Sequence, residues 1–317
     1  MIYCQEFATH YKQREATLRS RGGTMSDFRQ RLSEPGVIIA DGATGTMFQY
    51  SGLPAGTAPE RLNLERPKAI CALHRSYIEA GSEMILTNTF GGSRLRLEKS
   101  NLGEQTREIN TRAAALARKV AGKKVLVLGD IGPIGRMLFP LGDLSIQEAT
   151  ISFAEQASAL ATGGVDALFI ETMSDINEAI AAVHGAQQAT DLPILVSMSF
   201  DTHGRTMMGV KPEEAALKLW ALGVDVIGAN CGRSLSENLE AVKRMKAAVP
   251  NATFLAKPNA GLPHAESGTS VYDVTAEVMA KYAVKFVSLG VRVFGGCCGS
   301  TPAHIKAAAA AIHALVE

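Results

Sequence analysis

A single (β/α)8 barrel of the TIM type is the fold this sequence predicts, and three observations predict it. From Val37 onward, a short apolar, β-branched run, a Gly- or Asp-containing turn and a helical stretch follow one another eight times. The runs are apolar throughout rather than alternating, as in a parallel sheet whose outer face is covered by helices. The G-x-G-x-x-G fingerprint of the competing doubly wound sheet is absent after the first run.

The elements read in order as follows. Residues 1–36 stand apart: Tyr11 to Arg21 is charged, Gly22-Gly23 interrupts any helix there, and Met25 is an alternative start. They are expected to be a partly disordered N-terminal extension, leaving 37–317 as the barrel domain. The expected strands are Val37–Ala40, Met84–Thr87, Val125–Leu128, Ala167–Ile170, Ile194–Ser199, Val226–Ala229, Phe254–Ala256 and Val291–Phe294. The expected helices are Pro67–Ala80, Glu104–Ala121, Ile146–Thr162, Asp175–Thr190, Pro212–Leu222, Ser236–Ala248, Val271–Leu289 and Pro302–Val316. Ser174 and Thr301 serve as start signals, and several helices carry Pro at their first position. No Pro/Ser-rich linker divides the chain, so one domain suffices.

Composition narrows the function. The 317 residues hold 32 Lys+Arg against 31 Asp+Glu, a formal net charge of +1, without the basic excess a nucleic acid partner calls for. No apolar run approaches the roughly 20 residues of a membrane span. Met1 to Arg21 has no apolar core of a signal peptide, so a cytoplasmic protein is expected. The five cysteines are an odd set without an export signal, which argues against a disulfide framework.

In such a barrel, the chemistry sits at the C-terminal ends of the strands. Those ends read Asp41-Gly42-Ala43-Thr44-Gly45-Thr46, Asn88-Thr89-Phe90, Asp130-Ile131-Gly132-Pro133, Glu171-Thr172, Phe200-Asp201-Thr202, Asn230-Cys231-Gly232, Lys257-Pro258-Asn259 and Gly295-Gly296-Cys297-Cys298-Gly299. Cys231, Cys297 and Cys298 therefore meet at one face, after the sixth and eighth strands, about 10 Å apart across the rim. Three thiolates make a soft tetrahedral set suited to Zn²⁺ with one position open, the mark of a catalytic rather than a structural zinc. Two other readings stand beside this one: simple packing of small apolar residues, and a phosphate loop over Gly295–Ser300. His304, one turn beyond Cys298, is an alternative fourth ligand that would close the site. Cys4 and Cys71 lie elsewhere and are taken as structural.

These strand-end motifs, from Asp41-Gly42-Ala43-Thr44-Gly45-Thr46-Met47 through Thr87-Asn88-Thr89-Phe90, Asp130-Ile131-Gly132-Pro133, Ile170-Glu171-Thr172-Met173 and Gly228-Ala229-Asn230-Cys231-Gly232 to Gly295-Gly296-Cys297-Cys298-Gly299, resemble the homocysteine S-methyltransferase family. That family includes the homocysteine-binding module of cobalamin-dependent methionine synthase and the betaine–homocysteine methyltransferases. The resemblance runs from about Val37 to the C-terminus. It implies a zinc held by Cys231, Cys297 and Cys298, and methyl transfer to the thiol of homocysteine to form methionine. It also implies acids at Asp41 and Glu171 in the substrate pocket, where Glu171 is the better candidate for the ammonium. Backbone amides of Gly42-Ala43-Thr44 would face the carboxylate, and Asn88 would line the pocket.

The donor is open at this level. Aromatic faces usually hold quaternary ammonium groups. The stretches Gly56-Thr57-Ala58-Pro59-Glu60 and Thr89-Phe90-Gly91-Gly92 lack the Trp and Tyr that the animal betaine-using branch carries there. Phe90, Phe48 and Tyr50 are the aromatics expected nearest the mouth, the Met207-Met208 excursion is expected over it, and Trp220 reads as packing. A methylated corrinoid or methyl-folate, supplied free or on a separate corrinoid protein, is expected ahead of betaine or a methylsulfonium compound. A homo-oligomer is compatible with this reading. The rival of a different class is a zinc-binding barrel without catalysis.

Overall fold

The computed structural model describes residues 27–54, 56–266 and 269–315. Eight parallel strands form one sheet: β1 (Ile38–Ile39), β2 (Met84–Leu86), β3 (Leu126–Ile131), β4 (Ala167–Met173), β5 (Ile194–Met198), β6 (Val226–Cys231), β7 (Phe254–Pro258) and β10 (Val293–Phe294). Their order is β1-β10-β7-β6-β5-β4-β3-β2, and a parallel bridge from Ala40 to Met84 joins the two ends. The fold is the expected (β/α)8 barrel. An antiparallel hairpin, β8 (Pro263–Glu266) with β9 (Thr269–Tyr272), is inserted before the last unit. It occupies chain expected to begin a helix, which starts instead at Ala276.

The side-chain period of two sorts each strand into two apolar sets. Ile39, Ile85, Val127, Leu168, Val196, Ile227 and Phe294 face the surrounding helices in the larger core. Ile38, Met84, Leu86, Leu128, Phe169, Leu195, Val226, Leu255 and Val293 fill the barrel interior. Both faces are dry, which is why the strands read as continuous apolar runs. Local signals place the helices: Ser145 and Glu148 form a reciprocal cap on Ile146–Thr162, and Asp175, rather than the expected Ser174, caps Ile176–Ala189.

The chain from Asp27 belongs to the barrel. Helix Asp27–Ser33 closes the N-terminal mouth with Phe28, fully buried against the interior cluster. Arg29 makes two hydrogen bonds to Asp225, at 2.6 and 3.1 Å, and Arg31 pairs with Glu83 at 3.1 Å. Of the extension expected over 1–36, residues 27–36 are thus tied to the barrel floor, and residues 1–26, including Cys4, lie outside the described residues.

Candidate metal centre and active site

Cys231 ends β6, and Cys297 and Cys298 follow β10, so the strand order leaves only β7 between them. Their sulfurs all lie within 4.8 Å of one another, and Cys231 Sγ is 2.9 Å from Cys297 Sγ. Three thiolates about 2.3 Å from a tetrahedral zinc stand about 3.8 Å apart, so the donor set fits that ion in number and softness, and Cys231 and Cys297 would part by about 0.9 Å to take it. Hydrogen bonds from Cys231 and Cys297 hold the Cys298 thiol well below its usual pKa. The hydrogen bond with Cys297 helps push Cys231 well above it, and Cys297, drawn down by Cys231 but pushed up by Cys298 and burial, reaches about 12. One thiolate is already favoured in the cluster, and a cation would stabilise all three.

Asn230 orients this cluster. Its Nδ2 donates to Thr172 Oγ1 at 2.6 Å and approaches the sulfurs of Cys231 and Cys297 at 3.6 and 3.7 Å. Its Oδ1 accepts from Ser197 Oγ at 2.6 Å and from the Thr172 amide at 2.8 Å. Those bonds hold two non-glycine residues in the left-handed region, Thr172 at φ 62° and Cys231 at φ 55°. For a β-branched residue that conformation costs about 1–3 kcal/mol and persists only when its surroundings over-determine it. The register between β4 and β5 shifts at this point, between Ile170 and Met173.

Beneath the cysteines, three acids and one base are buried. Asp41, 1% exposed, pairs with Lys257 Nζ at 2.8 Å through Oδ1 and accepts the Leu86 amide at 2.8 Å through Oδ2. Both of its oxygens are committed, and it does not line the cavity. It ties β1 to β2 and β7. Burial works against the Lys257 charge, but Asp41 and Glu171 hold its pKa above the usual value. Glu171 does face the cavity; burial and then the Cys297 thiol push its carboxyl up to about 8. Asp130 faces it too, raised well above the carboxylate range by burial and then by Glu171.

The cavity above these groups measures about 600 Å³. Gly42, Ala43 and Thr44 form one wall. The Ala43 amide is spent on Ser300 O at 3.1 Å, whereas those of Gly42 and Thr44 make no hydrogen bond among the described residues. Gly42 is required, because a Cβ there would lie 2.9 Å from the Tyr77 hydroxyl, which bonds Ala43 O at 2.7 Å and Ser300 O at 3.0 Å. Tyr77 thereby couples the first loop to the loop bearing Cys297 and Cys298. Asn88 lines the cavity while its Nδ2 holds Pro59 O at 2.8 Å. Among the described residues Phe90 is the single aromatic of the lining, and Arg96 and Lys99 lie on it as well.

Other expectations resolve differently. His304 spends Nδ1 on Thr301 and Nε2 on Val274 O at 2.7 Å, and it takes no part in the metal-ligating group. The amides of Gly295, Gly296, Cys297, Gly299 and Ser300 all donate within the chain, which leaves the phosphate-loop reading the Cys298 amide as its one donor among the described residues of that loop. Met207 is 67% exposed, and neither it nor Met208 lines the cavity. Phe48 is buried in the core and Tyr50 is exposed, so of the three aromatics only Phe90 reaches the site. Trp220 packs against the core, as does Cys71.

In the strand-end motifs Asp130 and Asn230 read as rim hydrogen-bonding residues, and Thr172 and Lys257 stood without an assigned part. The signal that separates them is parity: Asp130 lies two residues beyond the interior Leu128, Glu171 two beyond Phe169, and Lys257 two beyond Leu255. Asn230 follows the interior Val226 by four.

The loop after β3 carries its own titratable anchor. Glu178, 7% exposed, accepts the Ile134 amide at 2.8 Å and so fixes the loop after β3. Burial pushes its carboxyl up to about 7; Asp175 adds to the rise and Arg96 opposes it. A carboxyl whose folded pKa is raised loses stability as pH climbs from its unfolded value near 4.5 through about 7. Glu178→Gln keeps the acceptor and removes the proton. Urea unfolding at pH 5 and 7.5 should show the variant declining less than the parent, by at most about 1.4 kcal/mol per pH unit over that window. Identical slopes would remove this assignment.

Comparison with known proteins bears on the whole barrel. The family model described as homocysteine S-methyltransferase matches residues 38–312. The chain is 32% identical over 296 residues to a methionine synthase of Mycobacterium tuberculosis, covering 87% of this chain and 24% of that protein. It is 32% identical over 298 residues to a methionine synthase of Mycobacterium leprae, with the same coverage of 87% and 24%. The chain thus spans about a quarter of the length of these curated relatives. The metallated form of the homocysteine methyltransferase MmuM from Escherichia coli is similar in structure, with TM-score 0.75, 22% identity and coverage of 89% of this chain and 98% of that one. A methyltransferase from Methanosarcina mazei follows at TM-score 0.58 and 12% identity, covering 90% and 97%. At those identities the structural likeness speaks for the fold.

Proposed function

The chain belongs to the homocysteine S-methyltransferase family, and from that premise we propose that it uses zinc to transfer a methyl group to the thiol of homocysteine, giving methionine. The observation that carries this reading is the convergence of Cys231, Cys297 and Cys298 on a cavity floored by buried carboxyls. Zinc held there supplies a Lewis acid that keeps the substrate's sulfur in its thiolate form, where a free thiol near pKa 8.5 is mostly protonated at neutral pH.

The chain's own residues do the rest. Asn230 and Thr172 hold Cys231 in its strained conformation, so the ligands are set before substrate arrives. Glu171 receives the ammonium, and the free amides of Gly42 and Thr44 receive the carboxylate. These contacts aim the sulfur up the cavity, where its lone pair attacks the methyl carbon as the bond to the donor breaks. Holding both partners in line is the positioning share of the catalysis.

For the donor, a methylated corrinoid or methyl-folate is favoured over betaine or a methylsulfonium compound. A cage for a quaternary cation needs several aromatic faces, and among the described residues this cavity offers Phe90 alone, together with the cations Arg96 and Lys99. Zinc-loaded protein with homocysteine should form little methionine from betaine and more when a methylated corrinoid is added. Rapid turnover on betaine alone would reverse that order. Methionine from none of the donors, with no sulfur added to the zinc shell by homocysteine in an X-ray absorption spectrum, would leave a zinc-binding barrel without catalysis.

A further inference from the structure

We propose that Arg96 and Lys99 form an anion site on the rim of the cavity opposite the metal centre, where they bind a phosphate or carboxylate group carried by the methyl donor. The inference rests on the methyl-transfer reading and deepens it by giving the donor a chemical handle.

Both residues lie on the excursion that follows β2, Arg96 in the helix Arg94–Leu97 and Lys99 in the helical turn Glu98–Ser100, and both line the cavity. Around the closed ring of strands β2 stands four places from β6 in either direction, so the two cations sit across the mouth from Cys231. The cavity of about 600 Å³ has the size that holds a drug-sized ligand, and a small amino acid beside the cysteines fills only part of it.

The two cationic heads are crowded together. They are i, i+3 neighbours of like charge, an arrangement that weakens a helical turn. Lys99 Nζ donates to Gly135 O. A Cβ on Gly135 would strike the Arg96 guanidinium and come within 3.2 Å of Lys99 Nζ, so both heads stand over the same piece of backbone.

No acid answers them. The flanking arginines are each paired, Arg94 with Glu155 at 2.7 Å and Arg136 with Asp143 at 2.8 Å. Among the described residues Arg96 and Lys99 form no ion pair, and the Arg96 guanidinium donates no hydrogen bond. Glu60 and Glu178 are buried nearby, but they accept the Gly91 and Ile134 amides at 2.6 and 2.8 Å, and Arg96 acts on them only through space. Glu98 packs its stem on Gly103 instead. One anion matches such a pair: a guanidinium meets a phosphate or carboxylate with two parallel N–H donors, and the ammonium adds a point charge. The same pair repels a cationic head, so a donor bound here presents its methyl toward the cysteines and its acid toward Arg96.

The test measures binding to zinc-loaded protein by calorimetry without homocysteine, so that no turnover intervenes. Three pairs of donors differ in their acid. Methylcobalamin is set against methylcobinamide, which lacks the phosphodiester, and 5-methyltetrahydrofolate triglutamate against the monoglutamate, which has fewer carboxylates. Betaine is set against choline, which has none. In wild type the more acidic member of one pair should bind about 10- to 100-fold more tightly, and that pair identifies the group as phosphate or carboxylate. In the double variant Arg96→Gln with Lys99→Gln the preference should vanish, while the less acidic member and homocysteine stay within about twofold of wild type. A preference in no pair, or one that the variant keeps, overturns the inference. Should the variant not fold, raising the salt to about 0.5 M should weaken wild-type binding of the acidic member alone, and equal weakening of both overturns it. Failure of wild type to bind homocysteine overturns the methyl-transfer reading, whereas homocysteine bound without any preference for the acid overturns this inference alone.

Discussion

Replacing Cys231, Cys297 or Cys298 singly by alanine should abolish zinc retention and lower methyl transfer by more than about 1,000-fold. Loss of even a group hydrogen-bonded to a metal ligand costs about 10- to 100-fold in affinity or activity, and here one of three protein ligands itself is removed. The barrel should survive, because the sulfurs lie on its C-terminal rim while its stability resides in the apolar layers around and inside the strands. Cys231→Ala keeps the left-handed backbone at this position and removes the sulfur that Thr172, Asn230 and Cys297 contact, so a small loss of melting temperature is expected there and a smaller one at Cys298. Metal content after dialysis, circular dichroism and single-turnover methionine formation measure the three quantities separately. A variant that stays fully active, or that keeps stoichiometric zinc, would end the metal assignment.

The second large effect concerns Glu171. Glu171→Gln should raise the homocysteine KM about 10- to 100-fold and leave zinc bound, since a charge-assisted hydrogen bond becomes a neutral one. The substitution is nearly isosteric and relieves a buried carboxyl that burial has pushed up to about 8, so the variant should be no less stable than the parent. Among the described residues its side chain accepts one hydrogen bond, at 3.5 Å from Asn230 Nδ2, and an amide oxygen accepts it as well. If KM and kcat both stay unchanged, Glu171 has no part in binding; if zinc is lost as well, it acts on the metal centre through Asn230 instead.

Much of this site was legible before any fold was drawn. Gly-Gly-Cys-Cys-Gly after an apolar run and Asn-Cys-Gly after another place three soft ligands at strand ends, and a parallel barrel brings such ends together by its geometry alone. Glu171 was legible for the same reason. Strand lengths were less so. β3, β4, β6 and β7 each run two or three residues past their apolar stretch, because ladder hydrogen bonds continue where the inward side chains turn polar. Asp130, Asn230 and Lys257 consequently belong to the strands, and their inward direction follows from counting in twos from Leu128, Val226 and Leu255. The hairpin Pro263–Tyr272 was missed because its short polar strands carry no apolar pattern. The helix that plugs the barrel floor was missed because seven residues with one buried Phe look like a tail until the mouth they fill is present.

The sequence by itself determined the order and number of the strand–helix units, the two buried faces of every strand, and the convergence of Cys231, Cys297 and Cys298, because each of these follows from local periodicity and from a closure rule common to the fold. Only the tertiary structure decided which acids face the cavity. Asp41 and Lys257 are 216 residues apart in the chain, and nothing near either one announces the other. Once β10 alone separates β1 from β7, the two side chains meet at 2.8 Å in a dry interior, where each supplies the other's hydrogen-bond partner. That pairing removes Asp41 from the cavity and leaves Asp130 facing it with an oxygen unspent.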